Sequence, residues 1–190
     1  MRGSSSVPPL FVGNDLALDF INTAYGPSRE PAEVLVDDAS VIAWLASAGL
    51  VSGDAVQAPR GIVTLARALR EEARRVLAAA RSGASFHAPV VNRVLQEGRP
   101  ILRLEAGADT PRLVEHRRSD SAESLLEPVA AALGRLLSGG DLEHVRECEA
   151  HDCTLLFHDT TRSRKRRWCS MALCGNRMKV AAYRSRKQLM

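Results

Sequence analysis

The chain has four cysteines, and all fall in its last quarter as Cys148-x4-Cys153-x15-Cys169-x4-Cys174. Two close pairs joined by a medium loop form the spacing of a four-thiolate zinc site. Each pair can turn back on itself to present two sulfurs, and the loop lets the pairs meet around one tetrahedral ion. The four-residue gaps differ from the two-residue gap of thioredoxin-like redox sites. His144, His151 and His158 lie close by, so a set of three cysteines and one histidine stays open. Two matching pairs with no orphan thiol favour four cysteines. Four protein ligands leave no free coordination position, which predicts one structural zinc ion and no catalytic metal.

The charge around these cysteines is one-sided. Residues 162–187 hold ten Lys or Arg and no Asp or Glu, so the rest of a chain with net charge +4 carries −6. Four thiolates and a divalent ion together sum to −2, leaving the module near about +8. A basic tail on a mildly acidic body is the pattern expected of a polyanion partner. Arg162, Arg164, Lys165, Arg166 and Arg167 lie between the cysteine pairs as a candidate phosphate clamp. Lys179, Arg184, Arg186 and Lys187 extend the charge along a final helix. Asn176 and Arg177 are candidates for base edges, because Asn can pair with adenine and Arg with guanine bidentately. Two other roles stand beside these: Asn176 as a helix cap, and Arg177 as a brace for the knuckle carbonyls. Trp168, next to Cys169, reads as packing.

The elements that must position these groups follow from the pattern. Cys148 to Cys153 forms a knuckle, and Thr154–Asp159 a short strand covering the metal. Residues 160–167 form a basic turn, and the last helix passes through Met178, Val180 and Tyr183. This plan is similar to a treble-clef finger. So small a piece has little core, so metal binding would supply much of its folding free energy, on the order of 10–16 kcal/mol in zinc-finger peptides.

The stretch Phe157-His158-Asp159-Thr160, then Arg166-Arg167-Trp168-Cys169 through Cys174-Gly175-Asn176-Arg177, and on to Tyr183-Arg184-Ser185-Arg186, resembles the CGNR zinc finger. In that family the finger follows an ABATE domain, in bacterial proteins described as stress-induced transcription regulators. Leu18-Asp19-Phe20-Ile21-Asn22-Thr23, the helix with Trp44, and Ala68-Leu69-Arg70-Glu71 are similar to ABATE sequences. The family's metal cysteines fall on Cys148, Cys153, Cys169 and Cys174; Glu149 departs from the small residue common after the first. The resemblance implies zinc and DNA binding.

Upstream, the reading is of a helical body. Leu10–Thr23 is mainly apolar with a turn signal at Gly13-Asn14, suiting a short helix or a buried extended segment. Asp37 or Asp38 can cap a helix that Gly49 ends. Ile62, Leu65, Ala66, Leu69, Ala73, Val76, Leu77 and Ala80 recur at helical spacing, with Arg67, Arg70, Glu71, Arg74 and Arg75 outside the stripe. Pro89 suits a first helical turn. Residues 101–105 and 112–117 alternate and flank a turn, predicting a hairpin. Asp120 with Glu123 resembles a capping box, and Pro128 should kink the helix that follows. Ser138-Gly139-Gly140-Asp141 marks a boundary.

The expected architecture is mainly α (α+β). A flexible tail over 1–9 precedes a multihelical N-terminal domain with a small hairpin over 10–140, and a treble-clef-like finger over 141–190. The start lacks the apolar core of a signal peptide, and no apolar run is long enough for a bilayer, which predicts a cytoplasmic protein without a membrane partner. No nucleophile elbow, phosphate loop or metal-hydrolase motif is present, so an enzyme is not expected. Asp19 and Asn22 could line a small-molecule pocket, and equally suit turns or caps. The reading is of a zinc-containing regulator whose finger binds double-stranded DNA while the N-terminal domain senses a ligand or partner. RNA is a near variant. The alternative is a small-molecule-binding protein or enzyme in which the finger is a structural dock. Oligomeric state is left open by the sequence.

Overall fold

The structure is a computed structural model that describes residues 7–26, 32–52, 56–107, 110–118 and 120–188. Residues 1–6 of the expected tail and Ala108 and Asp109 of the hairpin turn lie outside the described residues. Six α-helices and six short strands are present: α1 (Leu16–Ile21), β1 (Ala24–Tyr25), β2 (Ala32–Glu33), α2 (Asp38–Ser47), α3 (Ile62–Arg81), α4 (Pro89–Glu97), β3 (Ile101–Glu105), β4 (Arg112–His116), α5 (Ala122–Ser138), β5 (Val145–Glu147), β6 (Leu156–His158) and α6 (Asn176–Gln188). The strands form three antiparallel pairs, β1–β2, β3–β4 and β5–β6. The expected mainly α architecture with a small hairpin is what forms.

The chain divides into two compact units. One combines residues 1–34 with 135–190; the other runs from Leu35 to Gly134. This partition differs from the linear division at residues 140 and 141, because the N-terminal segment shares a unit with the cysteines.

In the Leu35–Gly134 unit, α2 and α4 both pack on α3. The α3 stripe buries as its spacing predicts, from Ile62 through Leu77, and Trp44 of α2 and Val94 of α4 are also buried. Asp37 caps α2 in a reciprocal box with Ser40. Asp38 instead serves the next helix. Its carboxylate accepts from Gly61 and Val63 N–H and so caps α3, whose own N-cap is a glycine. Those two backbone donors hold the Asp38 carboxyl below its ordinary pKa. Two charged residues of α3 are buried, and Arg70 is one of those expected outside the stripe. Arg70 is buried beside Glu71. Glu72 is buried and accepts from Val91 N–H at 2.8 Å, capping α4, whose N-cap Ala88 has no side-chain acceptor. At α5 the cap is Ser121, whose Oγ accepts from Ser124 N–H, while Asp120 pairs with Arg118. The helix runs through Pro128 without interruption.

In the other unit, Asp15 caps α1 through Ala17 and Leu18 N–H. The turn before it uses Asn14 in the left-handed region, at φ 55°. Helix α1 packs against β6. The free edge of β6 is closed by this N-terminal segment. Asn22 donates to Leu156 C=O at 2.8 Å and accepts from Leu156 N–H at 2.9 Å, and Gly13 C=O accepts from His158 N–H at 2.7 Å. A single side-chain amide thereby pairs as a neighbouring strand would. Asn22→Ala leaves two buried backbone groups unpaired, and the expected loss is about 2–4 kcal/mol. Chemical denaturation checks it; a loss under about 0.5 kcal/mol, the scale of an ordinary surface substitution, would remove the assignment.

Candidate metal centre and basic surface

Cys148 follows β5 and Cys153 closes the turn after it, with Cys153 N–H bonded to Ala150 C=O. Pairing continues past the strand as Cys148 N–H to Leu155 C=O, so the knuckle sits at the end of the β5–β6 ladder. Cys169 and Cys174 flank a wide helical turn over Met171–Gly175, which leads directly into α6. Ser170 starts this turn: its hydroxyl accepts from Leu173 N–H and its carbonyl from Cys174 and Gly175 N–H. Asn176 is already helical, so the cap weighed for it is supplied by Ser170. Gly175 packs closely, since a Cβ there would come within 2.5 Å of Met171 Sδ and 3.0 Å of Trp168 Cδ1, so the exposed Met171 side chain would have to shift to admit one.

The four sulfurs lie within 4.8 Å of one another. The Cys153–Cys169 separation is 3.9 Å, close to the roughly 3.8 Å edge of a tetrahedron with zinc–sulfur bonds of about 2.3 Å. Among the described residues, the histidines weighed as ligands are not in the cluster; His151 is exposed beside Asp152. Cys148, Cys169 and Cys174 are buried, with Leu155, Phe157, Trp168 and Met178 around them. The donor set and spacing fit one structural zinc ion. Two further groups direct N–H at the sulfurs: Cys169 N–H lies 3.2 Å from Cys148 Sγ, and Arg177 Nη2 3.8 Å from Cys174 Sγ. Such outer contacts stabilise the thiolate form that a metal requires. The thiols' own preferences are divided. The Cys169 hydrogen bond pushes Cys153 down to about 5, and the same bond with burial drives Cys169 up. Burial pushes Cys174 up to about 11. By itself the cluster therefore favours one thiolate and resists more.

The basic turn is organised by a residue that the sequence pattern did not single out. Asp159 is fully buried at the end of β6. Its carboxylate accepts from Thr161 N–H and Oγ1–H and from Arg166 N–H, and Arg146 Nε lies 3.8 Å away. Burial pushes this carboxyl up, but the donors and the Arg146 charge outweigh it and hold its pKa below the ordinary value. The available signal was local: an Asp two residues before a Thr, at the end of a strand, is an Asx-turn pattern. Arg164, left-handed at φ 52°, reverses the chain and donates from its guanidinium to Asp159 C=O.

The candidate phosphate and base contacts separate by partner. Arg166 sends its guanidinium to the carbonyls of Val12, Trp168 and Cys169, and lies 4.1 Å over the Phe157 ring. Arg167 pairs with Glu149 at 2.6 Å and lies over Trp168. Arg177 faces Cys174 sulfur. Arg162, Lys165, Lys179, Arg184 and Lys187 are exposed and form no ion pair among the described residues. Asn176 is exposed at the start of α6. Arg186 belongs to α6, and its side chain lies outside the described residues. A groove of about 560 Å³ runs beside the turn, lined by Thr161, Ser163, Lys165, Arg167, Trp168 and Met171 among others.

Asp19 and Asn22, the candidate ligand-pocket pair, have backbone partners. Asn22 clamps β6, and Asp19 Oδ1 accepts from Gly13 N–H at 2.7 Å. Neither lines the two larger grooves of this unit among the described residues.

A comparison with family models matches residues 14–140 to ABATE, described as "Putative stress-induced transcription regulator", and residues 144–187 to the CGNR zinc finger. The chain belongs to the ABATE family. A comparison with curated proteins finds no match. No described helix is long and apolar enough to cross a membrane.

Two measurements test this centre. In a Trp44→Phe background, where Trp168 is the remaining tryptophan, chelation should release one zinc per chain and abolish the Trp168 near-UV signal. Zinc-supplemented protein that retains no metal would refute the site. The second concerns Asp19, whose burial raises its pKa from 3.8 to about 6. A carboxyl raised on folding favours the folded state below its unfolded pKa, and that contribution is lost as pH rises through about 6. Asp19→Asn keeps an acceptor for Gly13, so it should match wild-type stability near pH 4 and exceed it near pH 7. Equal stabilities at both pH values would contradict the raised pKa.

Proposed function

We propose that this ABATE-family protein is a zinc-dependent transcription regulator that binds double-stranded DNA through the basic face of its finger. The carrying observation is the exposed set Arg162, Lys165, Lys179, Arg184 and Lys187, which has no acidic partner among the described residues, on a turn and helix fixed by the sulfur cluster and Asp159. Duplex affinity begins with neutralising phosphates, and cations held in place lose less entropy on contact. Lys165 at the groove and Arg162 on the same turn, with Lys179, Arg184 and Lys187 along α6, make the phosphate contacts. Asn176, exposed at the head of the helix, is the favoured base reader. Arg166 and Arg177 act as braces of the finger, Arg164 shapes the turn, and Arg167 reaches DNA by exchanging Glu149 for phosphate. The alternative of a purely structural dock expects these cations to face acidic groups of the chain. Among the described residues, Arg167 is the one clamp candidate whose guanidinium pairs with a carboxylate, which favours the DNA reading.

The Leu35–Gly134 unit supplies the sensing function. A cavity of about 180 Å³ there is lined by Leu50, Val51, Arg117, Arg118, Ser124 and Leu125 among others, with the two arginines paired to Glu127 and Asp120, suiting a small apolar ligand.

Zinc-loaded protein titrated with a random duplex library should bind in a salt-dependent manner. Removing charge at both Arg162 and Lys165 should weaken all sequences alike and reduce the salt slope by about 0.9 for each phosphate no longer neutralised. Asn176→Ala should instead alter sequence preference. Absence of duplex binding at low salt would sink the reading.

A further inference from the structure

The β3–β4 hairpin stands apart from the features used above. Ile101 pairs with His116, Leu102 with Glu115, Arg103 with Val114, Leu104 with Leu113 and Glu105 with Arg112. Directly paired residues share a face, so Leu102, Leu104, Leu113 and Glu115 lie on one side, and Arg103, Val114, Glu105 and Arg112 on the other. The leucines are not covered: Leu102 is 63% exposed, Leu104 74% and Leu113 65%. The outer edge of β3 has no strand beside it among the described residues. An isolated two-stranded hairpin is marginal in water, and an open edge is a template for another strand.

What should occupy that edge follows from its charges. A second β3 laid antiparallel about a two-fold axis must pair residues of like parity to keep the faces in register. Centring the axis on Leu104 sets Arg103 against Glu105 of the second copy, and Glu105 against its Arg103. The hairpin pairs extend these rows, giving Val114, Arg103, Glu105 and Arg112 across one face with charges alternating in sign. On the other face Leu113, Leu104, Leu104 and Leu113 form an unbroken cross-strand row. Moving the axis to Arg103 would oppose two arginines and set Ile101 against Glu105. On the edge of β4 an axis at Leu113 also gives an unbroken leucine row but sets Arg112 against Val114 and so gains no charge pair, while an axis at Val114 opposes Arg112 to His116 and Leu113 to Glu115. Only the Leu104 register satisfies charge and apolar rows together.

We propose that the chain forms a two-fold homodimer by edge-to-edge pairing of β3, centred on Leu104, to give a four-stranded antiparallel sheet β4–β3–β3–β4. The contact is isologous, so it closes at two copies. The hairpin's two exposed faces become the two faces of one sheet, and the backbone groups of β3 acquire partners.

Sedimentation velocity of the full-length zinc-loaded chain over a concentration series tests this. Wild type should be dimeric. Arg103→Glu opposes two glutamates in each central row, and Glu105→Arg opposes two arginines, so each variant should weaken the dimer about tenfold or more. Mixing the two variants makes both contacts between the copies attractive again and should restore a heterodimer, although Glu105→Arg also opposes Arg112 of its own hairpin. That complementation separates loss of the edge contact from misfolding. The proposal is overturned by a wild type that stays monomeric at its highest soluble concentration, which would give the leucine face to another partner. It is also overturned by a dimer that survives both charge reversals, which would place the contact elsewhere, or by variants that fail to complement on mixing.

Discussion

Four sulfurs crowded within 4.8 Å cannot all be thiolates unless a cation lies among them. That constraint shapes the surrounding structure. Backbone and guanidinium N–H groups point at sulfur, and Trp168 and Phe157 exclude water from the cluster. Gly175 lets Trp168 and Met171 pack close against the backbone beside Cys174. When bound, zinc supplies a cross-link between two knuckles with no open position for chemistry. Its consequence is positional: the basic turn and the head of α6 are each attached to the cluster by one cysteine pair.

A cross-linked finger still exposes a strand edge, and the N-terminal segment resolves this. Asn22, Gly13 and the Arg166–Val12 contact fasten residues 12–22 onto β6 and the second knuckle. Leu10, Val12 and Tyr25 also pack on the sulfur-lined core. The family matches place Asn22 and Tyr25 with ABATE and the cysteines with CGNR. In the folded chain they share a compact unit. Here the unit defined by packing is discontinuous in sequence, so a finger cut at its family boundary would lose the partners of β6.

Periodic and local features were readable in advance. The cysteine spacing, the α3 stripe, Pro89 opening α4, the Asp37 cap and the β3–β4 hairpin each leave a repeated or short-range signature. What escaped the sequence is the side chain that serves a distant backbone. Asn22 and Leu156 are 134 residues apart, and Arg166 and Val12 are 154 apart. No periodicity marks such pairs, and an Asn in an apolar stretch suits a cap, a pocket or a strand mimic equally well. Asp38 and Glu72 show the same limit: Asp38 was legible as a cap for its own helix and Glu72 left no signal, yet each caps a different helix from its own. Asp159 did leave a local signal, overshadowed by the basic run that it organises.

That basic run shows why composition alone overstates a nucleic-acid surface. Of ten cations over residues 162–187, Arg164 and Arg166 donate to carbonyls, Arg167 to a carboxylate and Arg177 to sulfur. A guanidinium bonded to neutral carbonyls keeps its full charge, so Arg164 and Arg166 still add to the long-range field that draws a polyanion in. They have fewer donors left for a phosphate at contact. Steering and contact therefore draw on different subsets of the same residues. Five exposed cations without ion pairs among the described residues bound the direct phosphate contribution of that subset to a salt slope of about −4.5, at about −0.9 per contact. A steeper slope would require cations beyond this subset, and Arg167 is one once its guanidinium leaves Glu149.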